Sequence, residues 1–349
     1  MRTFIKTSQD TTIYQRYPTL NTGLDEILEV GKVVDVKFDT NNMYASGSAR
    51  ILLNFDIPSE QQYPAASKYY LNLRIANAKN VNRYQKLDVY PVSKEWIEGS
   101  GYFYQDIKNS QDGATWKNAT STTYWDISGS DFVTNDVSAS YQLSKVPIED
   151  IKIDITNIIA PVVSGSNITP WNGIVIKFTD ADETSSANMG NIKVFSGNTH
   201  TIFAPTLEIV YNNQVFITGS LKPIPSNYVT VIPRNLREAY TVGEIDKIYL
   251  VIRDPYPDKR FDNVQRYRST YYLPSSSYYR VRDSVSGVIL ADFDQYSAIN
   301  CDTSGSYFML DTTMFEMNRY YTIDLKVVGN NTTFFPEFNY TFKIDNDDA

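Results

Sequence analysis

The chain has 349 residues, with 32 Lys and Arg against 40 Asp and Glu for a net charge of −8, one histidine (His200) and one cysteine (Cys301). That inventory excludes a histidine-rich zinc site, a two-histidine iron site, an intrachain disulfide and a thiolate zinc cluster. Any Ser-His-Asp relay would have to pass through His200, and an acidic chain of this kind is not expected to bind phosphate backbones or anionic membranes.

In chain order, the opening Met1 to Lys6 lacks the apolar core of a secretory signal, which predicts synthesis and retention in a cytosol. Aromatic residues reach 14%, among many Thr, Ser, Asn and Ile, a composition that suits pleated, half-buried strands. The alternation predicts a half-buried antiparallel strand at Arg50 to Pro58, with Ile51, Leu53, Phe55 and Ile57 on one face and Leu52, Asn54 and Asp56 on the other. Leu71, Leu73 and Ile75 repeat it, as do Ile151, Ile153 and Ile155, then Ile174, Ile176 and Phe178, then Leu207, Ile209 and Tyr211. The apolar run Ile158 to Val163 is too short to span a bilayer and is broken by Pro161. Gly, Ser and Asn turn clusters separate these strands, so residues 1–215 are expected to form one jelly-roll β-sandwich. The punctuated stretch 216–225 is expected as a linker. A second series (Ile248, Leu250, Ile252; Ile323, Leu325, Val327; Phe338 to Ile344) predicts an immunoglobulin-like sandwich over 226–349.

Several residues invite a chemical reading and are weighed against a plainer one. His200, in a Thr-His-Thr loop with no Gly-x-Ser-x-Gly elbow in the chain, reads as structural. Cys301 reads as a small buried hydrophobe. Asp180, Asp182 and Glu183 could offer oxygen to calcium, but without the central glycine and distal glutamate of an EF-hand loop they read as a solvated loop. No catalytic residue, cofactor or metal site is therefore expected. Arg260, Arg266, Arg268, Arg280 and Arg282 alternate with Asp258, Asp262 and Asp283, which predicts a mixed-charge surface. Trp96 reads as a core anchor, while Trp116 and Trp125, in loops rich in Thr, Asn and Gly, are the candidates for a glycan-stacking platform. Asn118, Asn167 and Asn339 sit in glycosylation sequons that read as accidents of composition. Tyr271, Tyr272, Tyr278 and Tyr279 are the candidate protein-contact residues. The plainer reading points half of each pair inward.

Residues 1–212 resemble the DNRLRE family of jelly-roll modules. The likeness rests on Asp10-Thr11-Thr12-Ile13-Tyr14, Asn21-Thr22-Gly23, Ser48 to Asp56, Leu87 to Tyr90, Trp96 to Gly99, Gly113 to Trp116 and Pro205 to Tyr211, in that order. The segments Tyr278 to Asp283, Phe293 to Tyr296, Cys301 to Phe308 and Asn318 to Ile323 are similar to a tail of virion proteins of T4-like phages. The resemblance implies a non-enzymatic structural protein of a tailed-phage virion, in the tail or baseplate, assembled in the host cytoplasm. It would pack against other virion proteins in symmetric copies. The alternative is a carbohydrate-binding adhesin, receptor-recognition fibre or head-decoration protein that meets a host-surface glycan.

Overall fold

The computed structural model describes residues 1–34, 46–57, 63–64, 66–82, 84–103, 112–134, 137–143, 149–165, 170–225, 228–256, 271–329 and 332–345. Arg260, Arg266, Arg268, Asp258, Asp262 and the sequon at Asn167 lie outside them. The chain is all-β and divides into two compact units, one of residues 5–209 and one of residues 1–4 with 210–349.

The first unit contains β1 (Arg2–Tyr14), β2 (Ile27–Val34), β3 (Ser46–Phe55), β4 (Lys68–Leu73), β5 (Ile75–Lys79), β6 (Lys86–Pro91) and β7 (Ala139–Gln142). Then come β8 (Ile151–Asp154), helix α1 (Thr156–Val163), β9 (Ile174–Phe178), the short helix α2 (Asp180–Thr184), β10 (Gly190–Phe195) and β11 (Thr206–Val210). The strands hydrogen-bond in the order β5-β10-β2-β3-β1-β11-β4-β8, while β9 also joins β3, β6 joins β9, and β7 joins β6. The period-two stripes of the sequence are buried as expected: Ile51, Leu53, Leu71, Leu73, Ile151, Ile153, Ile174, Ile176, Leu207 and Ile209 are all essentially inaccessible. The apolar run around Pro161 forms α1, which buries Ile158 and Ile159, and no helix among the described residues is long and apolar enough to cross a membrane.

One expectation about β3 is corrected. Its second face is not half-exposed: Leu52 is fully buried with Ile13 of β1 and Val175 of β9 under Val92, Trp96, Ala114, Trp116, Ala119 and Trp125. Strands covered on both sides read as unbroken apolar runs, and Ile51-Leu52-Leu53 and Ile174-Val175-Ile176 are such runs.

The second unit holds β12 (Lys222–Pro223), β13 (Thr230–Pro233), β14 (Ala239–Thr241), β15 (Ile245–Arg253), β16 (Tyr271–Tyr272) and β17 (Ser277–Asp283). It continues with β18 (Ile289–Ala291), β19 (Asn300–Asp302), β20 (Gly305–Asp311), β21 (Arg319–Val328), β22 (Thr333–Phe334) and β23 (Tyr340–Asp345). One sheet runs β13-β15-β20-β19 and the other β14-β23-β21-β17-β18, with β22 on β21. Labelled in chain order, these are strands A, B, E and D facing G, F and C, the order of the immunoglobulin sandwich. Ile248, Leu250, Phe308 and Leu310 of the first sheet share one core with Tyr279, Val281, Ile323, Leu325 and Phe342 of the second. At the start of β21 the buried Tyr321 hydroxyl accepts the Glu316 N–H at 2.8 Å, the tyrosine corner that pins the E–F connection in such folds.

The expected linker 216–225 is also corrected. Phe216 bridges to Cys301, the Ile217 N–H donates to the Cys301 carbonyl at 2.8 Å, and Lys222–Pro223 pairs in parallel with Tyr271–Tyr272. A stretch that would otherwise expose its own amides completes the edge at β19, which satisfies both sets of groups.

Replacing Tyr321 by phenylalanine leaves the Glu316 amide without its partner while keeping the ring, so Tyr321→Phe should lower unfolding free energy by about 1–3 kcal/mol. Urea denaturation followed by near-UV signals measures it, and a change within error would deny the corner its structural role.

Candidate interaction surface and ligand pocket

The tryptophan platform is corrected first. Trp116 and Trp125 are only 8% and 5% exposed, so neither ring is presented to solvent. The Trp125 indole N–H donates to the Thr115 carbonyl at 2.9 Å, and Trp96 donates to the Asn172 carbonyl at 2.8 Å, so both polar tips are satisfied inside the second core. Trp116 instead receives the Arg50 guanidinium, 4.8 Å from its ring centre. Arg50 leaves β3, donates to Glu183 through Nε at 2.9 Å and Nη2 at 2.6 Å, and reaches the Gly129 carbonyl at 2.6 Å through Nη1. Gly129 has φ of +97°, and a Cβ there would lie 2.7 Å from Arg50 Nη1 and 2.9 Å from the Trp116 ring, so only glycine fits.

Glu183 belongs to α2, where the sequence suggested a solvated loop. Thr179 caps that helix, its hydroxyl donating to the Asp182 carboxylate at 2.8 Å and accepting the Asp182 N–H at 3.3 Å. The Thr-x-x-acid spacing of a capping box was present in the sequence and marks the helix start. The buried Lys177 ammonium lies between Asp180 and Glu183. These acids are therefore occupied by Arg50 and Lys177, and among the described residues no group of three or more His, Cys, Asp or Glu could hold a metal ion. His200 is 92% exposed, its Nε2 3.8 Å from a Glu26 carboxylate oxygen. Cys301 is buried, and burial pushes its thiol above the usual range.

The tyrosine pairs separate. Tyr279 points inward, stacks on Phe308 at 4.7 Å and is 3% exposed, so it is a core residue and not a contact residue. Tyr271 is half-buried against the core and donates its hydroxyl to Asp254 at 3.1 Å, while Tyr272 meets Phe216 edge-on at 5.7 Å. Tyr278 alone stands on an open sheet face, opposite Lys326 in the β17–β21 register.

That face is the surface candidate. Strand alternation turns Tyr278, Arg280 and Arg282 of β17 outward beside Asp324 and Lys326 of β21 and Lys343 and Asp345 of β23. Arg280 donates to Asp324 Oδ2 through Nη2 at 2.8 Å, and the Arg282 Nε shares the same oxygen at 3.1 Å. Phe293 lies under Arg280 at 4.7 Å and within 5.8 Å of Lys326 Nζ, and its ring meets that of Phe335, which is 63% exposed, at 5.9 Å. Flat apolar rings with cations stacked on them and a shared carboxylate make a stiff, desolvation-ready surface. Sequence reasoning reached Tyr278, Arg280 and Arg282 but had no means of seating Phe293 and Phe335 against them.

The first unit carries a pocket of about 140 Å³ walled by Tyr14, Tyr17 and Phe103, with Arg16, Glu29, Ser48 and Asn191 among its polar lining. The rings meet at 5.2 Å (Tyr14 and Phe103) and 5.8 Å (Tyr17 and Phe103). Asn191 Nδ2 donates to Glu29 at 2.7 Å, but Asn191 Oδ1 and Ser48 Oγ are buried without a hydrogen-bond partner. A cavity of about 150 Å³ accommodates a single six-membered ring. No motif singled out this pocket in the sequence, because its walls come from residues far apart in the chain.

A carboxyl group near the family-like opening has an unusual titration. Asp10 is buried, and that burial, with Glu98 nearby, pushes its pKa up to about 7 against the N–H that Gly197 donates to it at 2.5 Å. In the unfolded chain an aspartate ionises near 3.8. Between these values the native state keeps a proton that the unfolded state releases. The contribution of Asp10 to stability is thus greatest below pH 4, falls as pH rises to about 7, and is flat above. Asp10→Asn should flatten that slope and raise stability at pH 8, by roughly 4 kcal/mol at most; unfolding curves between pH 4 and 8 report it, and an unchanged slope would assign the pH dependence elsewhere. Trp116→Ala should cost about 3–5 kcal/mol of stability, measurable by thermal or urea unfolding, because it empties the second core.

No protein-family model matches the chain, and no curated protein matches it. Among solved structures it is similar to a DUF4785 family protein of Legionella pneumophila subsp. pneumophila str. Philadelphia 1. The identity there is 9% and the TM-score 0.19, over 97% of this chain and 65% of the other. It is also similar to the BSP domain of a biofilm associated protein, with 10% identity and a TM-score of 0.17 over 96% of this chain and 69% of the other. The chain thus spans about two thirds of the length of these structures, and TM-scores this low carry no argument.

Proposed function

We propose that the protein is a non-enzymatic structural component of a tailed-phage virion, in the tail or baseplate, that works by packing against neighbouring virion proteins. One observation carries the reading: a rigid sheet in the second unit presents Tyr278, Phe293 and Phe335 together with Arg280 and Arg282, a composition typical of interface centres. The ordered resemblance of residues 1–212 to jelly-roll modules and of the later segments to virion proteins supports the setting. Assembly in the host cytoplasm accords with a chain that has one cysteine and no means of an intrachain disulfide. Mass spectrometry of purified virions should recover the chain at a fixed copy number set by the symmetry of the tail. Its absence from intact particles would overturn the assignment, and hundreds of copies would move it to the head.

A second reading, a carbohydrate-binding adhesin or receptor-recognition fibre, draws on the pocket of the first unit and not on the tryptophans. Tyr14, Tyr17 and Phe103 offer faces to the apolar side of a sugar ring, with Arg16, Glu29 and Asn191 among the polar lining. Glycan-array binding that is lost in Phe103→Ala and Asn191→Ala, with unfolding unchanged, would favour this reading. Binding retained in both variants would remove the pocket from it.

A further inference from the structure

The outward charges on β17, β21 and β23 are Arg280, Arg282, Lys326 and Lys343 against Asp324 and Asp345, a net of +2. The whole chain carries −8, so the remainder carries −8 − 2 = −10. A net-positive, aromatic face on a chain whose remaining residues are net negative is complementary in charge to other copies of the same chain. Opposite potentials of this kind steer association and fix which surfaces meet.

We propose that this face, centred on Arg280, Arg282 and Phe293, docks onto an acidic surface of a second copy of the chain. The proposal rests on the reading that the protein acts by packing, and it names the partner of that surface. Two copies of the face itself repel, since each presents the same surplus of cations. The contact therefore joins unlike surfaces, and a head-to-tail contact repeats until it closes into a ring or extends into a filament. Asp324 shows within one chain how a carboxylate is held here, with Arg280 Nη2 and Arg282 Nε converging on one oxygen at 2.8 and 3.1 Å. The Arg280 guanidinium carbon lies 4.7 Å from the Phe293 ring centre, while its Nε and Nη2 both donate to Asp324. The partly exposed Phe335 supplies apolar area beside the charges, so that binding is not left to screened ion pairs alone. Nucleic acid fits less well: a phosphate strand crossing these strands would meet Asp324 and Asp345, and a surplus of two charges is small for a surface of that kind.

Sedimentation velocity on the full chain tests this over a range of protein concentration, in about 20 mM and about 0.5 M salt, where the screening length falls from roughly 20 Å to 4 Å. The expected result is association beyond a dimer at low salt and monomer at high salt, with the apparent Kd raised at least about tenfold in Arg280→Glu/Arg282→Glu. Should that double variant unfold, Phe335→Glu changes an exposed position and should weaken association in the same direction. A monomer at every concentration in low salt would overturn the proposal, as would association that both variants leave unchanged. Retention of duplex DNA by the wild type but not the double variant would assign the face to phosphate and overturn it equally. These results are independent of virion mass spectrometry: a chain found in virions yet monomeric loses only this contact, and a self-associating chain absent from virions loses only its location.

Discussion

The organisation of the first unit depends on β3 being buried on both faces. A strand in that position cannot send a charged side chain to solvent, yet Arg50 sits on it beside Leu52. The resolution is a fully furnished exit. The guanidinium lies on Trp116 at 4.8 Å, donates in fork geometry to Glu183 and caps the Gly129 carbonyl. Side-chain exposures of 12% for Arg50 and 8% for Glu183 make the pair expensive to break, since either partner alone would be a stranded charge. The interaction therefore ties together three otherwise independent things: the segment around Trp116 and Gly129 over the sheet, the position of α2, and the rotamer of a central strand residue.

That constraint explains what could and could not be read from the sequence. The inward stripes at Ile51, Leu53, Ile174 and Ile176 were legible because their period of two needs only the strand itself. Burial of Leu52 and Val175 was legible in principle from the unbroken apolar runs, but alternation was the stronger signal and suggested an open face. Trp116 and Trp125 then went the wrong way, since Thr, Asn and Gly neighbours describe a loop without saying what lies beneath it. Here a second core lies beneath it. The short helix at Asp180 was announced by Thr179 and Asp182, whose spacing matches a capping box, yet a five-residue helix has too little periodicity to register.

The same limit governs the second unit. Its shared core follows from alternation in β15, β21 and β23, which was visible in the sequence, while the strand order needs the pairings themselves. Alternation also decides the tyrosine pair: Tyr279 goes in and Tyr278 goes out because adjacent strand residues face opposite ways. What alternation cannot supply is a contact between a strand and a loop. Phe293 reaches Arg280 from the segment after β18, and Phe335 reaches Phe293 from the segment after β22. Neither carries a motif, so the surface exists only once the sandwich has brought the two segments onto one face. The pocket of the first unit is hidden in the same manner, its rings arriving from β1, the turn after it and the segment that follows β6.

The two units thus treat the outer face of a sheet in opposite ways, and the difference bears on what each can do. In the first, Trp96, Trp116 and Trp125 lie over β1, β3 and β9, and the cations Arg50 and Lys177 are paired with Glu183 and Asp180 within the chain. The sheet face beneath is closed to solvent, and what is exposed there belongs to the covering layer, including Ile97, Tyr124 and Ile127. In the second, two phenylalanine rings from loops cover part of the outer face, and two arginines share one carboxylate oxygen. One carboxylate cannot neutralise two guanidinium groups, so the surplus charge and the exposed ring edge remain at the surface together. Both outcomes follow from how many residues the chain lays over each sheet.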